Sequence, residues 1–323
     1  MNGVLNAPHC AGSSRSANVL HSCLPRDAAS THPAPEGAPA VHLPGKTVAR
    51  NRAHAGASLS VNTTQTPESR FAGPRPLALV TGVGRTAGIG AGIARQLAAS
   101  GWDIAYTYWS PYDARMEWGA EPGAAETIGE DLARHGARTV AIEADLADPA
   151  APDRVLDETE QRLGGVTALV LCHCESVDSG LLDTTVESFD RHFAVNARAT
   201  WLLIRAYGSR FAGAHGSGRI VGLSSDHTAG NLPYGASKGA MDRIVLAAAR
   251  EFAHLGVTAN VVNPGPVDTG WMSPELQAAC RDHTPLGRLG TPQDAAHLVD
   301  FLCSPRGQWV NGQLLHSNGG LNA

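Results

Sequence analysis

The sequence predicts a doubly wound α/β domain, a parallel sheet with helices on both faces, behind an N-terminal extension. Three observations carry this expectation. Seven short apolar runs alternate with longer helical stretches from Leu77 onward, which implies right-handed strand–helix–strand crossovers. A glycine-rich turn joins the first run directly to the first helical stretch. Every Phe, Trp and Tyr lies beyond residue 70, so the chain before that point has too little apolar area to offset the entropy of ordering.

Residues 1–70, rich in Ala, Ser, Pro, His and Thr, are therefore expected to be a disordered or low-complexity extension. Because this segment is poor in acids and contains Ser and Arg, an organelle transit peptide is the alternative. Residues 71–323 are expected to form one domain. Its strands are expected at 77–81, 104–108, 139–143, 168–172, 219–223, 257–262 and 313–316, short apolar runs of the kind buried on both faces of a parallel sheet. Helices are expected at 89–100, 124–135, 152–163, 186–211, 234–254 and 291–303, where the crossovers between parallel strands require them.

The 323 residues are 43% hydrophobic and 17% charged, enough for a large core without disulfides or a structural metal. No run reaches the roughly 18 apolar residues of a membrane span, and the first residues lack a basic stretch followed by an apolar block, so neither membrane insertion nor secretion is expected. Cys10, Cys23, Cys172, Cys174, Cys280 and Cys303 are scattered without paired spacing, so neither a disulfide framework nor a zinc site is expected and the cytoplasm is the expected compartment. The first 70 residues carry +3 of the chain's net charge of −5, which leaves −8 on the rest. An acidic body argues against a nucleic-acid partner. Lys46 and Lys238 are the only lysines, so a lysine within the domain asks for a reason.

The first strand, Leu77-Ala78-Leu79-Val80, runs into Thr81-Gly82-Val83-Gly84-Arg85-Thr86-Ala87-Gly88-Ile89-Gly90 and then into a helix. Glycines there let the backbone turn tightly and approach a pyrophosphate at the positive end of the helix. The acid that takes the adenosine ribose of NAD about 20 residues later is missing, since Tyr108-Trp109-Ser110 stands there. Arg85 in the loop offers a guanidinium to a phosphate. NADP is therefore expected over NAD, with Arg115 as a further candidate for the 2′-phosphate.

Tyr234 and Lys238 are four apart, on one face of a helix whose first turn Pro233 marks. A phenol is a poor acid or base at neutral pH unless a nearby cation stabilises its phenolate. Tyr-x-x-x-Lys after a glycine-rich first turn resembles the short-chain dehydrogenase/reductase family, in particular its 3-oxoacyl-acyl carrier protein reductases. Asp145-Leu146, Asn196, Ser224-Ser225 and Asn263-Pro264-Gly265-Pro266-Val267-Asp268-Thr269 follow in the family's order, as do Pro285 to Ala296 and Asn311-Gly312-Gln313 with Gly319-Gly320.

The resemblance implies a Rossmann fold and an oxidoreductase acting on a small-molecule carbonyl or alcohol. Tyr234 would exchange a proton with the substrate oxygen and Ser225 would hydrogen-bond it. Lys238 would lower the tyrosine pKa and hold the nicotinamide ribose, and Asn196 would bind a relay water. Thr81, Gly82, Arg85, Gly88, Ile89 and Gly90 would cradle the cofactor, Asp145 and Leu146 would meet the adenine, and Pro264, Gly265, Val267 and Thr269 the nicotinamide end. A homotetramer or homodimer built on 186–211 and 234–254 is implied as well.

The sequence departs from the family in three places. The glycine loop is two residues longer than usual. Leu171-Cys172-His173-Cys174 replaces Asn-Asn-Ala-Gly, so His173 and Cys174 are expected to crowd the cofactor or force a shift; on a strand, the two cysteines would face away from the histidine, against a metal site. Ser225 lies nine residues before Tyr234, closer than is common, which keeps Ser224 as an alternative partner. The Trp271 and Met272 segment reads as a lid over substrate or a plain surface helix, and the aromatic run from Tyr108 to Trp118 as an adenine stack or a subunit contact. Enoyl reductases are disfavoured, because their Tyr and Lys are more widely spaced. A cofactor-binding sensor or scaffold without turnover is the alternative function.

Overall fold

A computed structural model describes residues 74–321; the extension expected at 1–70 lies outside the described residues. Seven strands form one sheet: β1 (Leu77–Thr81), β2 (Asp103–Tyr108), β3 (Thr139–Glu143), β4 (Ala168–Leu171), β5 (Arg219–Leu223), β6 (Thr258–Asn263) and β7 (Leu314–His316). All pairings are parallel, in the order β3-β2-β1-β4-β5-β6-β7. The order reverses between β1 and β4, and in open sheets of this kind the ligand crevice opens at the carboxyl ends of the strands at that point.

Alternation along β1 shows why the sheet is covered twice. Leu77 and Leu79 join a core with Val155 and Leu156 of α4 (Ala151–Leu163), Leu203 of α6 (Ala199–Arg210) and Met241 and Val245 of α7 (Leu232–Glu251). Ala78 and Val80 face the other layer, with Ile93 and Leu97 of α1 (Ile89–Ala99), Ile128 and Leu132 of α3 (Ala124–Arg134) and Val299 of α9 (Pro292–Cys303). Full burial of each such Leu or Ile is worth about 1.5–3 kcal/mol. A Cβ added at Gly92 would come 2.7 Å from the Pro292 side chain, so α1 and α9 approach closely only because Gly92 has none.

Two expectations need correction. The strand expected at 168–172 ends at Leu171, so strand alternation does not govern Cys172, His173 and Cys174. The single helix expected at 186–211 is α5 (Val186–His192), a π-helical stretch (Phe193–Arg198) and α6. The short helix α2 (Ser110–Ala114), one turn after β2, was not expected, whereas α8 (Pro274–His283), capped by the Ser273 hydroxyl, falls in the segment read as a lid or a plain surface helix. Met272, Leu276, Cys280 and Leu289 make a small apolar cluster of their own under α8.

Candidate active site

The loops after β1 and β4 meet at the switch point. Thr81, buried at the end of β1, accepts the backbone N–H of Cys172 at 3.2 Å and of His173 at 3.4 Å on its hydroxyl oxygen. Gly82 follows at φ +74°, and an added Cβ would lie 2.6 Å from the His173 backbone nitrogen. Glycine is needed there on both counts. Gly88 precedes the first helical residue, Ile89, and a Cβ on Gly90 would lie 2.6 Å from the Gly82 carbonyl oxygen. The start of α1 has no side-chain cap and no acid in its first turn. Backbone this close at an uncapped positive helix end fits a pyrophosphate.

Asn196, Ser225, Tyr234 and Lys238 come together at the β4–β5 side of this crevice. The Lys238 amine, buried, donates to the Leu223 carbonyl at 2.8 Å and the His173 carbonyl at 3.4 Å, and lies 5.9 Å from the Tyr234 ring centre. Burial lowers its pKa, against the raising effect of Cys174, Cys172 and Asp242. The Asn196 carboxamide accepts the Glu175 N–H at 2.7 Å and donates to the Glu175 carbonyl at 2.8 Å and to Ser237 at 2.9 Å. The Ser225 hydroxyl, which accepts the His227 N–H at 3.2 Å, lies beside the Tyr234 phenol and favours its ionised form, while the Ser224 hydroxyl points to the Ser225 carbonyl at 3.5 Å. Burial first, then Cys174, pushes the Tyr234 phenol well above its ordinary pKa, and the neighbouring Ser225 hydroxyl opposes the rise. His227 stands edge-on to the Tyr234 ring, 6.3 Å between centres.

His173 does not crowd the crevice. Its ring turns into the body, with Nδ1 2.7 Å from the Thr81 hydroxyl and Nε2 3.1 Å from the Val195 carbonyl, and burial drives its pKa down to about 3. Cys174 lies among Lys238, Glu175, Asp113 and Tyr112: burial raises its thiol pKa, and Lys238 opposes the rise.

At the other end, Arg85 donates to the Thr269 carbonyl at 2.5 Å and stacks on Trp118 at 4.8 Å. Arg85 thereby ties the cofactor loop to the loop after β6. Arg115, expected near a 2′-phosphate, instead pairs with the buried Glu175 carboxylate, which Arg191 also reaches at 3.2 Å. Asp145 accepts the Ala147 N–H at 2.9 Å and pairs with Arg191 at 3.4 Å, and the Leu146 side chain is core. Pro264 and Val267 are buried, and Gly265 turns at φ +63° against Asn318. The aromatic run folds inward: Tyr112 reaches the Ser176 carbonyl at 3.4 Å and Trp118 donates to Asp113 at 2.9 Å. Trp271 donates to the Val267 carbonyl at 3.3 Å and Met272 is buried. Sequence reading missed Glu175 and Ser237 as site neighbours, and had Tyr112 and Asp113 only as part of the aromatic run at the adenine end. Glu175 had a signal in its place directly after the departing segment.

A parallel sheet with a glycine-cradled switch point and a Tyr-x-x-x-Lys pair beside it defines a nucleotide-binding class of α/β proteins. A family model described as enoyl-(acyl carrier protein) reductase matches residues 82–322. An uncharacterized oxidoreductase, YjdA, of Bacillus subtilis is 35% identical over 249 residues, 76% of this chain and 96% of its own. An NADPH-dependent aldehyde reductase-like chloroplastic protein of Arabidopsis thaliana is 33% identical over 266 residues, 76% of this chain and 96% of its own. A short chain dehydrogenase from Burkholderia cenocepacia solved with NADP superposes with a TM-score of 0.69 at 34% identity, covering 79% of this chain and 100% of that one. A blue fluorescent protein from a metagenomic library, solved with NADPH, also gives 0.69, at 33% identity over 77% of this chain and 99% of that one. The chain belongs to the short-chain dehydrogenase/reductase family.

Proposed function

We propose that the protein is an NADP(H)-dependent oxidoreductase that interconverts a carbonyl and a secondary alcohol, with Tyr234 as the acid/base. The observation that carries this reading is the Tyr234 phenol beside the Ser225 hydroxyl, with the Lys238 amine 5.9 Å from its ring centre and Asn196 bonded to Ser237 of the same helix. When bound, the dinucleotide supplies the hydride. Ser225 and Tyr234 would both hydrogen-bond the substrate oxygen, and a phenol held above its ordinary pKa stays protonated at neutral pH, so it donates. That favours reduction of a carbonyl, protonating the alkoxide as it forms. Lys238, whose amine is tied to two carbonyls, brings positive charge to the same place.

Thr81, Gly82, Gly88, Ile89 and Gly90 would cradle the pyrophosphate, with Arg85 across it. Asp145 and Leu146 would border the adenine, and Pro264, Gly265, Val267 and Thr269 the nicotinamide. The absence of an acid at 108–110, together with NADPH or NADP in the names of relatives and neighbours, supports NADP over NAD. The four-residue spacing of Tyr234 and Lys238 supports carbonyl rather than enoyl reduction. Exposed Val186, Phe189 and Trp201 lie on the helices that implied a homodimer or homotetramer, and support one.

Purified protein given NADPH and a panel of ketones and aldehydes is expected to consume the cofactor, and Tyr234→Phe to stop consumption while cofactor binding persists. No consumption across the panel, with Tyr234→Phe indistinguishable from the parent, overturns the reading. Tight NADPH binding without turnover, joined to a stable protein partner, would favour the sensor or scaffold, a role that the replaced Asn-Asn-Ala-Gly segment suits.

A further inference from the structure

We propose that His173 is a positioning residue whose imidazole joins Thr81, at the head of the cofactor loop, to Val195, the residue before Asn196, and so holds the cofactor cradle and the proton-transfer corner in register. The proposal rests on the reaction class given above. The Val195 carbonyl can only accept, so the Nε2 atom 3.1 Å away carries the proton. Nδ1 is then an acceptor, and the hydroxyl of Thr81 donates to it at 2.7 Å. That hydroxyl also receives the N–H groups of Cys172 and His173, so one side chain of β1 anchors the loop after β4 from two directions.

The circuit closes through the backbone. The carbonyl of His173 accepts the Lys238 amine at 3.4 Å, and two residues on, the backbone of Glu175 is clamped by the Asn196 carboxamide. Val195 and Asn196 lie in the π-helical stretch, a widened turn of the kind that marks functional sites. Its carbonyls are served by two buried side chains, His173 for Val195 and Thr200 for Asn196 at 2.9 Å. An alanine at 173 would leave the Thr81 hydroxyl and the Val195 carbonyl without this shared partner. A neutral imidazole, donor on one nitrogen and acceptor on the other, meets both.

A histidine that merely fills the core would matter to stability alone, so the test compares two near-isosteres. His173→Gln keeps one donor and one acceptor; His173→Met keeps the bulk and loses both. Positioning predicts that His173→Met lowers kcat by up to about 100-fold, the scale of a small misplacement of reacting groups. It should also shift the basic limb of the pH–rate profile and weaken NADPH binding in a fluorescence titration, while His173→Gln restores all three to within a few-fold. Wild-type kcat, pH profile and NADPH affinity in both variants, with only the melting temperature lowered, overturn the proposal. If the parent binds NADPH but turns nothing over, the proposed function fails, and the NADPH affinities of the two variants still decide the role of His173. Should His173→Met not fold, Thr81→Val removes the same bond from its other end and carries the comparison.

Discussion

The catalytic corner and the rim of the cofactor crevice satisfy their polar groups in different ways. At the corner, Lys238 and Asn196 bond backbone carbonyls and amides next to buried strands. At the rim, Arg85 leans on Trp118, Trp118 bonds Asp113, and Glu121 takes the Thr86 N–H and hydroxyl at 2.9 and 2.7 Å. Groups held by buried backbone keep their geometry when a ligand arrives, the preorganisation that electrostatic catalysis requires. Partly exposed side chains that hold one another can exchange partners for an incoming polyanion at little cost.

The largest expected effect tests the corner. Tyr234→Phe should lower kcat by about 10²–10⁴-fold, the usual contribution of a positioned acid, with the NADPH dissociation constant changed less than threefold. Steady-state kinetics and a fluorescence titration read the two quantities. A large loss of NADPH affinity would mean that corner and rim are not separable.

Next in size is a pH effect confined to the corner. His173 has an ordinary pKa near 6.5 when unfolded and about 3 when folded. The unfolded chain therefore binds a proton that the native state refuses as pH falls from about 6.5 toward 3, and stability declines through that window. The slope approaches about 1.4 kcal/mol per pH unit for one proton. His192 and His227 are lowered by burial as well, so the contrast must be made against His173→Gln. Thermal melts at pH 7 and pH 5 should show a larger drop in the parent than in the variant; equal drops would place the sensitivity outside this histidine.

The same division separates what was legible in the sequence from what was not. The glycine loop and the Tyr234 and Lys238 pair stood out in the sequence because the chemistry proposed for them depends on spacing along one turn or one helix face. So did the doubly wound fold, since β1 presents apolar residues to both layers. The inward turn of His173 was hidden, because alternation applies only while a strand continues and β4 stops at Leu171. The π-helical stretch was hidden too, since Phe193–Arg198 carries no proline or glycine to mark a change of turn. At the rim, α2 has five residues, too few for any periodicity. Its placement of Tyr112 and Asp113 is a tertiary result.

A third prediction concerns the tie across the crevice. Arg85→Ala removes a charged donor from the Thr269 carbonyl, a bond in the class worth about 1.5–3 kcal/mol. NADPH binding is expected to weaken by about tenfold, since the guanidinium is partly exposed and its loss is screened. NADH should lose nearly as much, because Arg85 joins the loop after β1 to the loop after β6, which both cofactors meet. A loss confined to NADPH would instead put the guanidinium on the 2′-phosphate.

The smallest effect is the most informative about the rim. Trp118 holds the Arg85 guanidinium at 4.8 Å over its ring and Asp113 through its indole N–H. A cation–π contact at a partly exposed site is worth about 0.5–1 kcal/mol, so Trp118→Leu should weaken NADPH binding only two- to fivefold. Removing the indole also frees Asp113, whose pKa burial already raises while the Trp118 bond holds it down. Without that bond the Asp113 pKa should climb further, and its proton uptake should make NADPH affinity depend on pH in the variant over a range where the parent is flat. Titrations at several pH values check this. If the parent and Trp118→Leu follow the same pH curve, the rim groups act independently, and the chain from Arg85 through Trp118 to Asp113 is a packing arrangement rather than a coupled one.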